Sequence, residues 1–284
     1  MTTPLHDLEA WVGRIEHADD VVRPEPARAL AATLDLPDHP SNGDRLPELW
    51  HWLYFLPAAP ASTLGRDGHP ARGGFLPPVP LQRRMWGGGR LWFHRDLRIG
   101  DAVVRTSEVA SVEHKNGRAG PMLLVTVRHT VTGPAGVAVE EDHDIVYVNP
   151  PASYTAPGPD PLPDDVAWQE QQQVDPVLLF RFSALTFNAH RIHYDLPYAT
   201  EVEHYPGLVV HGPLQALLLV HAARRHEPLR HVETFRYRAR RPLFDFDTWL
   251  LAGRADGNAT DVFSANGDSD VAMRGTLTWS PGHG

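Results

Sequence analysis

The chain contains no cysteine, which excludes a disulfide framework, a thiolate nucleophile and a cysteine-ligated zinc site. A broad basic surface is also missing. With 26 basic against 35 acidic residues the formal charge is -9, and nothing supplies the phosphate-neutralising face that a nucleic-acid partner requires. No run of 18 apolar residues occurs, and the opening MTTPLHDLEAWVGRIEHADD carries acids where a secretory leader would carry a basic region and an apolar core. A cytoplasmic protein with neither nucleic-acid nor membrane partner is therefore expected. Ser183 lacks the GxSxG context of a nucleophile elbow, which argues against a serine hydrolase. No HExxH pairing accompanies His190, His193, His204 and His211, so no metal is expected at these histidines.

What is present is enough apolar material, 42% of 284 residues, for two domains of ordinary size. Residues 150–163 hold six prolines in fourteen positions, the composition of an extended connector. The expected organisation is a first domain over 1–149, a Pro-rich linker over 150–165 and a second domain over 166–284. In the first, apolar spacing predicts one or two short helices in residues 4–36 and a buried helix over Leu46 to Leu56. A long Gly/Pro-rich loop follows over 57–80. Strands are expected between Gly87 and Val148, with Asn116-Gly117 as a hairpin turn. In the second, His211 to His226 reads as a helix apolar on most sides. Pro213 lies in its first turn and Arg224, Arg225 and His226 in its last. Strands are predicted near 231–240, 247–255, 261–265 and 271–279. Phe93 to Asp101 also echoes Tyr237 to Asp245, each an aromatic strand running through basic residues to an aspartate, which suggests a duplicated unit.

The stretch Phe180 to Gly212 is the chemically dense one. Asn188, His190, Arg191, His193 and Asp195 lie within eight residues, bracketed by Leu178, Leu179, Phe180 and Phe182 before and Leu208, Val209 and Val210 after. Apolar brackets should bury these polar groups, and buried polar groups must be paired or functional.

An apolar helix wrapped by an antiparallel sheet, present twice, is the outline of an α+β double hotdog. The segment Thr186-Phe187-Asn188-Ala189-His190-Arg191-Ile192-His193-Tyr194-Asp195 resembles, without a gap, the Ser-Gly-Asp-x-Asn-Pro-x-His-x-Asp motif of MaoC-like R-specific enoyl-thioester hydratases. PGLVVHG at 206–212 resembles that family's Pro-Gly-x-x-x-His-Gly entry to the hotdog helix. SALTFNAHRIHYD, LPELWHWLYF and GFLPPVPLQRRMWGGGRLWFHRDLRIGD look like one branch, the mesaconyl-CoA and itaconyl-CoA hydratases with the mitochondrial 3-hydroxyacyl-thioester dehydratases.

This resemblance implies a hydro-lyase that adds water reversibly to an α,β-unsaturated acyl-CoA, foremost mesaconyl-CoA to citramalyl-CoA, in a homodimer without cofactor. Itaconyl-CoA and fatty-acid-type 3-hydroxyacyl thioesters are alternative substrates, and a non-catalytic acyl-thioester-binding protein is an alternative class. His193 falls on the catalytic histidine. Asn188 stands where the family has its aspartate and cannot take a proton at neutral pH. His190 and Arg191 replace the motif's Asn and Pro, which makes His190 a candidate catalytic or loop-orienting group. The backbone N–H of Gly212, at a helix N-terminus, suits a developing oxyanion. Candidates for CoA or acyl-carboxylate recognition are Arg83, Arg84 and Arg90 beside Gly87 to Gly89; Arg238, Arg240 and Arg241; Arg181, Arg191 and His211.

Overall fold

The computed structural model of the chain describes residues 5–37, 39–117 and 120–280. Two compact units divide it: Met1–Gly87 with His94–Ala152 and Ser183–His190, and Gly88–Phe93 with Ser153–Phe182 and Arg191–Gly284. The main change of unit, at Ala152/Ser153, lies inside the Pro-rich stretch. Two short segments, 88–93 and 183–190, group with the unit opposite to their chain neighbours.

In the first unit, β1 (Ile15–Val21) is followed by α1 (Pro24–Thr33), and β2 (Arg83–Phe93) precedes β3 (Ala102–Gly117), β4 (Gly120–Gly133) and β5 (Gly136–Val148). The antiparallel order is β1-β3-β4-β5, with the start of β2 beside β5. Alternation drives the register. Leu123, Val125 and Val127 of β4 point inward and join Leu81, Val109, Ile145 and Tyr147 in one core. Gly87 is required where β2 meets β5, since an added Cβ would lie 2.6 Å from Val146 Cγ2.

Three expectations for this unit need correction. Residues 4–36 hold a 3-10 turn (Leu5–Trp11), the strand β1 and then α1. Gly13 at φ 84 ends the first turn, and β1 is an edge strand held by its ladder to β3, so burial gives it no periodic signature. Leu46 to Leu56 is not a helix. It contains only a 3-10 turn, Trp50–Leu53, entered through Leu49 at φ 70. The adjacent side chains of His51 and Trp52 both reach Glu141 Oε2, at 3.2 and 2.9 Å, an aim that a regular helix with 100° between residues disfavours. Asn116 and Gly117 are the last paired positions of the β3–β4 ladder, opposite Pro121 and Gly120, while the connecting residues 118–119 lie outside the described residues.

The second unit contains β6 (Trp168–Gln172) and all but the last turn of α2 (Pro176–Leu185), neither of which the sequence pattern predicts, and then α3 (Gly212–His226) and the strands β7 (His231–Ala239), β8 (Trp249–Asp256), β9 (Ala259–Ala265) and β10 (Val271–Ser280). The antiparallel order is β2-β7-β10-β9-β8-β6. α3 packs on β8, β9 and β10 with Leu214, Leu217, Leu218, Leu219 and Val220 all buried, as its all-round apolar pattern demands. This is the hotdog arrangement. Its one polar intrusion is satisfied: Gln215 Oε1 accepts from Ser264 Oγ at 2.9 Å, and Ser264 accepts from Trp249 Nε1 at 2.8 Å. In α2 the helical period buries Phe182 and leaves Phe180 62% exposed, which corrects the expectation that Phe180 helps cover the polar segment.

Equivalent hydrogen bonds mark the duplication. The amides of His94 and Arg95 donate to Ala138 O at 2.8 and 3.3 Å, and those of Arg240 and Arg241 donate to Ala272 O at the same two distances. Asp101 Oδ2 accepts from Arg98 N and Asp247 Oδ2 from Phe244 N, each at 2.8 Å. Asp101 thus corresponds to Asp247, two residues beyond the Asp245 suggested by the sequence echo. The antiparallel bridges Arg45↔Arg98 and Val209↔Phe244 extend the match, so the 3-10 turn after Leu46 stands where α3 begins after Val210.

Candidate active site

His193 closes the 3-10 turn Arg191–His193. Its Nδ1 lies 2.7 Å from Val209 O. A carbonyl only accepts, so Nδ1 carries the proton and the basic lone pair belongs to Nε2. The clasp is reciprocal, because Val209 N donates to Ile192 O at 2.9 Å. Leu208 and Val210 are tied to the 243–245 turn by Leu208 N to Asp245 Oδ1 at 2.9 Å and Val210 N to Leu243 O at 2.8 Å. Gly207 admits this turn, since a Cβ there would come within 2.7 Å of Asp245 Oδ1 and the Phe246 ring. Around the clasp Ile192, Tyr198, Tyr205, Val209 and Phe244 form a small core, so the His193 ring is held by packing as well as by its hydrogen bond.

His211 stacks on His193 with ring centroids 3.6 Å apart and an interplanar angle of 18°. Burial, and then the neighbouring His193, hold its pKa well below the ordinary histidine value, so His211 is a neutral ring against His193. It is also the N-cap of α3, with no side chain capping the helix, and Pro213 has no N–H to give. The first residue of α3, Gly212, therefore presents its amide at the positive end of a 15-residue helix. A buried imidazole and a helix N-terminus meet in sequence and space at His193, His211 and Gly212.

Asn188 and His190 belong to the first unit. α2 ends with Asn188 N donating to Ser183 O at 2.8 Å across Phe187 at φ 49, and Asn188 Oδ1 accepts from His190 N at 3.0 Å. The Asn188 acceptor is thus engaged in a local turn that presents the buried His190. Against His190 lies the loop 65–70. Its Gly68 has φ +90, and a Cβ there would sit 1.8 Å from Ala189 O. The His69 ring lies against His190 with centroids 4.1 Å apart and the planes tilted by 44°, while His69 Nδ1 is 3.0 Å from Asp67 Oδ2. Burial, with Arg84 next, brings the pKa of His69 down to about 4. Asp67 and His69 escape sequence reasoning because they sit 117 or more residues before the motif. Their only local mark is an Asp-Gly-His-Pro run in a Gly/Pro-rich loop.

Residues 49–245 match the hydroxyacyl-thioester dehydratase type 2 family. The chain belongs to that family. It is 47% identical over 273 residues, 95% of this chain and 97% of the relative, to a protein of Chloroflexus aurantiacus named mesaconyl-C(4)-CoA hydratase. Among solved structures, a MaoC-like dehydratase aligns with a TM-score of 0.71 at 16% identity, covering 96% of this chain and 99% of its own. A Mycobacterium tuberculosis protein described as a double hotdog aligns at 0.55 and 17%, covering 97% and 98%. These two show the fold, a double hotdog. As a type 2 hydroxyacyl-thioester dehydratase relative the chain is a hydro-lyase of the enoyl-thioester hydratase kind.

Within this dehydratase family framework the arginines separate. Arg191 Nε and Nη2 donate to Asp195 Oδ2 at 2.9 and 2.7 Å, its guanidinium lies 4.2 Å over the Tyr198 ring, and Asp195 Oδ1 accepts from Tyr198 N. It braces the turn that carries His193. Arg241 donates to Asp270 at 2.6 Å and to the carbonyls of Pro157 and Gly158, and Arg240 joins Arg274 on Asp160. These two anchor the Pro-rich connector. Arg83 is buried in β2, and Arg84, Arg90, Arg181 and Arg238 retain exposed surface. The Gly87 to Gly89 run serves strand packing, since a Cβ on Gly88 would also meet Tyr237 O at 2.5 Å. No helix among the described residues is long and apolar enough to cross a membrane.

Proposed function

We propose that the chain hydrates mesaconyl-CoA to citramalyl-CoA, with His193 as the base and the amide of Gly212 as oxyanion donor. The observation that supports the chemistry is the His193 clasp, which leaves Nε2 as the basic nitrogen of a buried ring packed beside the start of α3. Identity of 47% to the Chloroflexus hydratase supports the substrate. Water gives a proton to His193 Nε2 as its oxygen bonds to the β-carbon. The alkene electrons move towards the thioester oxygen, where the helix N-terminus stabilises the enolate. His193 then returns the proton to the α-carbon, so one water is added and the base is regenerated. Proton transfer and a fixed dipole suffice, and the reading needs no metal or redox cofactor. A cytoplasmic homodimer is the accompanying expectation.

Side-by-side assay of mesaconyl-, itaconyl- and crotonyl-CoA tests the substrate, with the highest kcat/KM expected for mesaconyl-CoA. His193→Ala should lose about 10²- to 10⁴-fold in kcat while staying folded. Wild-type turnover in that variant, or thioester binding without turnover in the native protein, removes the mechanism.

A further inference from the structure

The proposed chemistry uses His193 and the amide of Gly212, and it leaves the histidine that joins them without a part. His193, His211, Gly212 and Phe182 all belong to the second unit. His211 is fully buried. Its backbone opens α3, since His211 O accepts from Gln215 N at 3.1 Å and Gly212 follows directly. Its side chain turns back to the clasp. The ring lies face to face with that of His193, centroids 3.6 Å apart at 18°, and meets the Phe182 ring edge-on at 5.0 Å and 67°. At that separation the two imidazoles are in van der Waals contact, which for carbon lies at about 3.5–4 Å, so neither ring tilts without pushing the other. The bond from His193 Nδ1 to Val209 O fixes where Nδ1 points. A single hydrogen bond still lets a ring swing about the N···O line, and that swing would carry Nε2 with it. The facing ring of His211 removes this freedom.

We propose that His211 is a positioning residue, an aromatic plate that fixes the plane of the His193 ring and so the place of Nε2 relative to the Gly212 amide, while taking no proton itself. This role rests on the hydratase reading above and adds to it what holds the base. An uncharged plate suits the reaction. Burial, and then His193, keep His211 neutral. When His193 gains the proton of water it therefore faces an aromatic ring, which attracts a cation, where a second imidazolium would repel it. Val209, which holds Nδ1, His211, which holds the ring plane, and Gly212 lie within four consecutive residues, so base and oxyanion donor share one frame at the start of α3. The flat ring of His211 is then essential, and its nitrogens are dispensable.

The test compares His211→Phe, which keeps a flat ring without nitrogens, with His211→Gln, which keeps polar atoms without a ring, and with His211→Ala. On mesaconyl-CoA, His211→Gln and His211→Ala should each lower kcat about tenfold or more with KM within about twofold, and His211→Phe should restore kcat to within about threefold of the native value. A role for His211 as proton carrier or hydrogen-bonding group reverses that order. A kcat in His211→Phe no better than in His211→Gln therefore overturns the proposal, as does native kcat in His211→Ala. Should the variants fail to fold, the ring nitrogen NMR shifts of His211 in the native protein decide: a neutral ring at the pH of the assay is expected, and an imidazolium there refutes the plate. The hydratase reading fails separately, when the native protein turns over none of the three thioesters. The plate is then judged by the ring-proton shifts of His193, which a facing ring displaces, and shifts that His211→Ala leaves unchanged refute it.

Discussion

Gly68→Ala is the most informative single change, because the structure supplies both its magnitude and its control. Position 68 has φ +90, and the new Cβ would stand 1.8 Å from Ala189 O and 2.7 Å from Ala189 C. Ordinary contact distances require roughly 1–2 Å of extra separation, and both contacts are backbone, so no side-chain rotation relieves them. Gly43 has nearly the same backbone, φ +88, with nothing within 4 Å of its added Cβ. Gly43→Ala therefore isolates the cost of a left-handed alanine, about 1 kcal/mol, and should lower Tm by about 2–4 °C with unchanged kcat. Gly68→Ala should lower Tm further. Ala189 lies four residues before His193, so a displacement of about 1 Å carried along that segment should lower kcat, by up to about 100-fold. The assay is steady-state hydration of mesaconyl-CoA beside thermal unfolding of both variants. Should Gly68→Ala keep wild-type kcat with the stability loss of Gly43→Ala alone, the loop does not hold the segment at Ala189 and the reasoning fails.

Two further outcomes follow from buried polar groups. Ser264→Ala removes the hydroxyl that joins Trp249 Nε1 to Gln215 Oε1 beneath α3 and strands both, so it should destabilise by about 1–3 kcal/mol per stranded group in chemical unfolding. Stability should also fall as pH drops below the ordinary histidine range. Burial lowers His129 to about 3 and His143 to about 4, with Glu141 opposing in both cases and Arg105 or Arg84 adding to the depression. Below about pH 6.5 the unfolded chain therefore binds protons that the folded chain refuses, at about 1.4 kcal/mol per pH unit for each group, until the folded values are reached. Double replacement by Gln should flatten unfolding midpoints between pH 6.5 and 4, and an unchanged slope would refute this origin.

Much of the second unit is legible in the chain itself. α3 is apolar on nearly every side, opens on Pro213 and closes on Arg224, Arg225 and His226, so its bounds and its burial follow from local chemistry. The strands after it are read to within a residue or two, because each must alternate against that helix. The motif from Asn188 to His193 and the 206–212 run carry the family resemblance, and that resemblance implies the reaction class. The elements that go unread are those whose reasons lie elsewhere in the chain. β1 exists because β3 offers a ladder, and the Leu46 to Leu56 helix is lost because Glu141, some ninety residues away, draws His51 and Trp52.

The candidate site divides along the same line. Sequence alone determines that a histidine, an asparagine where the resembled motif has an acid, and a glycine before a helix-opening proline occur in one stretch, since these depend only on the order of residues. Tertiary structure decides their states. The Val209 carbonyl selects the tautomer of His193, and burial keeps His211 neutral against it. Asn188 is turned inward to its own loop, and Asp67 and His69 arrive beside His190 from a loop of no periodic pattern. Tautomer, charge and contact depend on what surrounds an atom in space, and for these residues the surroundings come from distant parts of the chain.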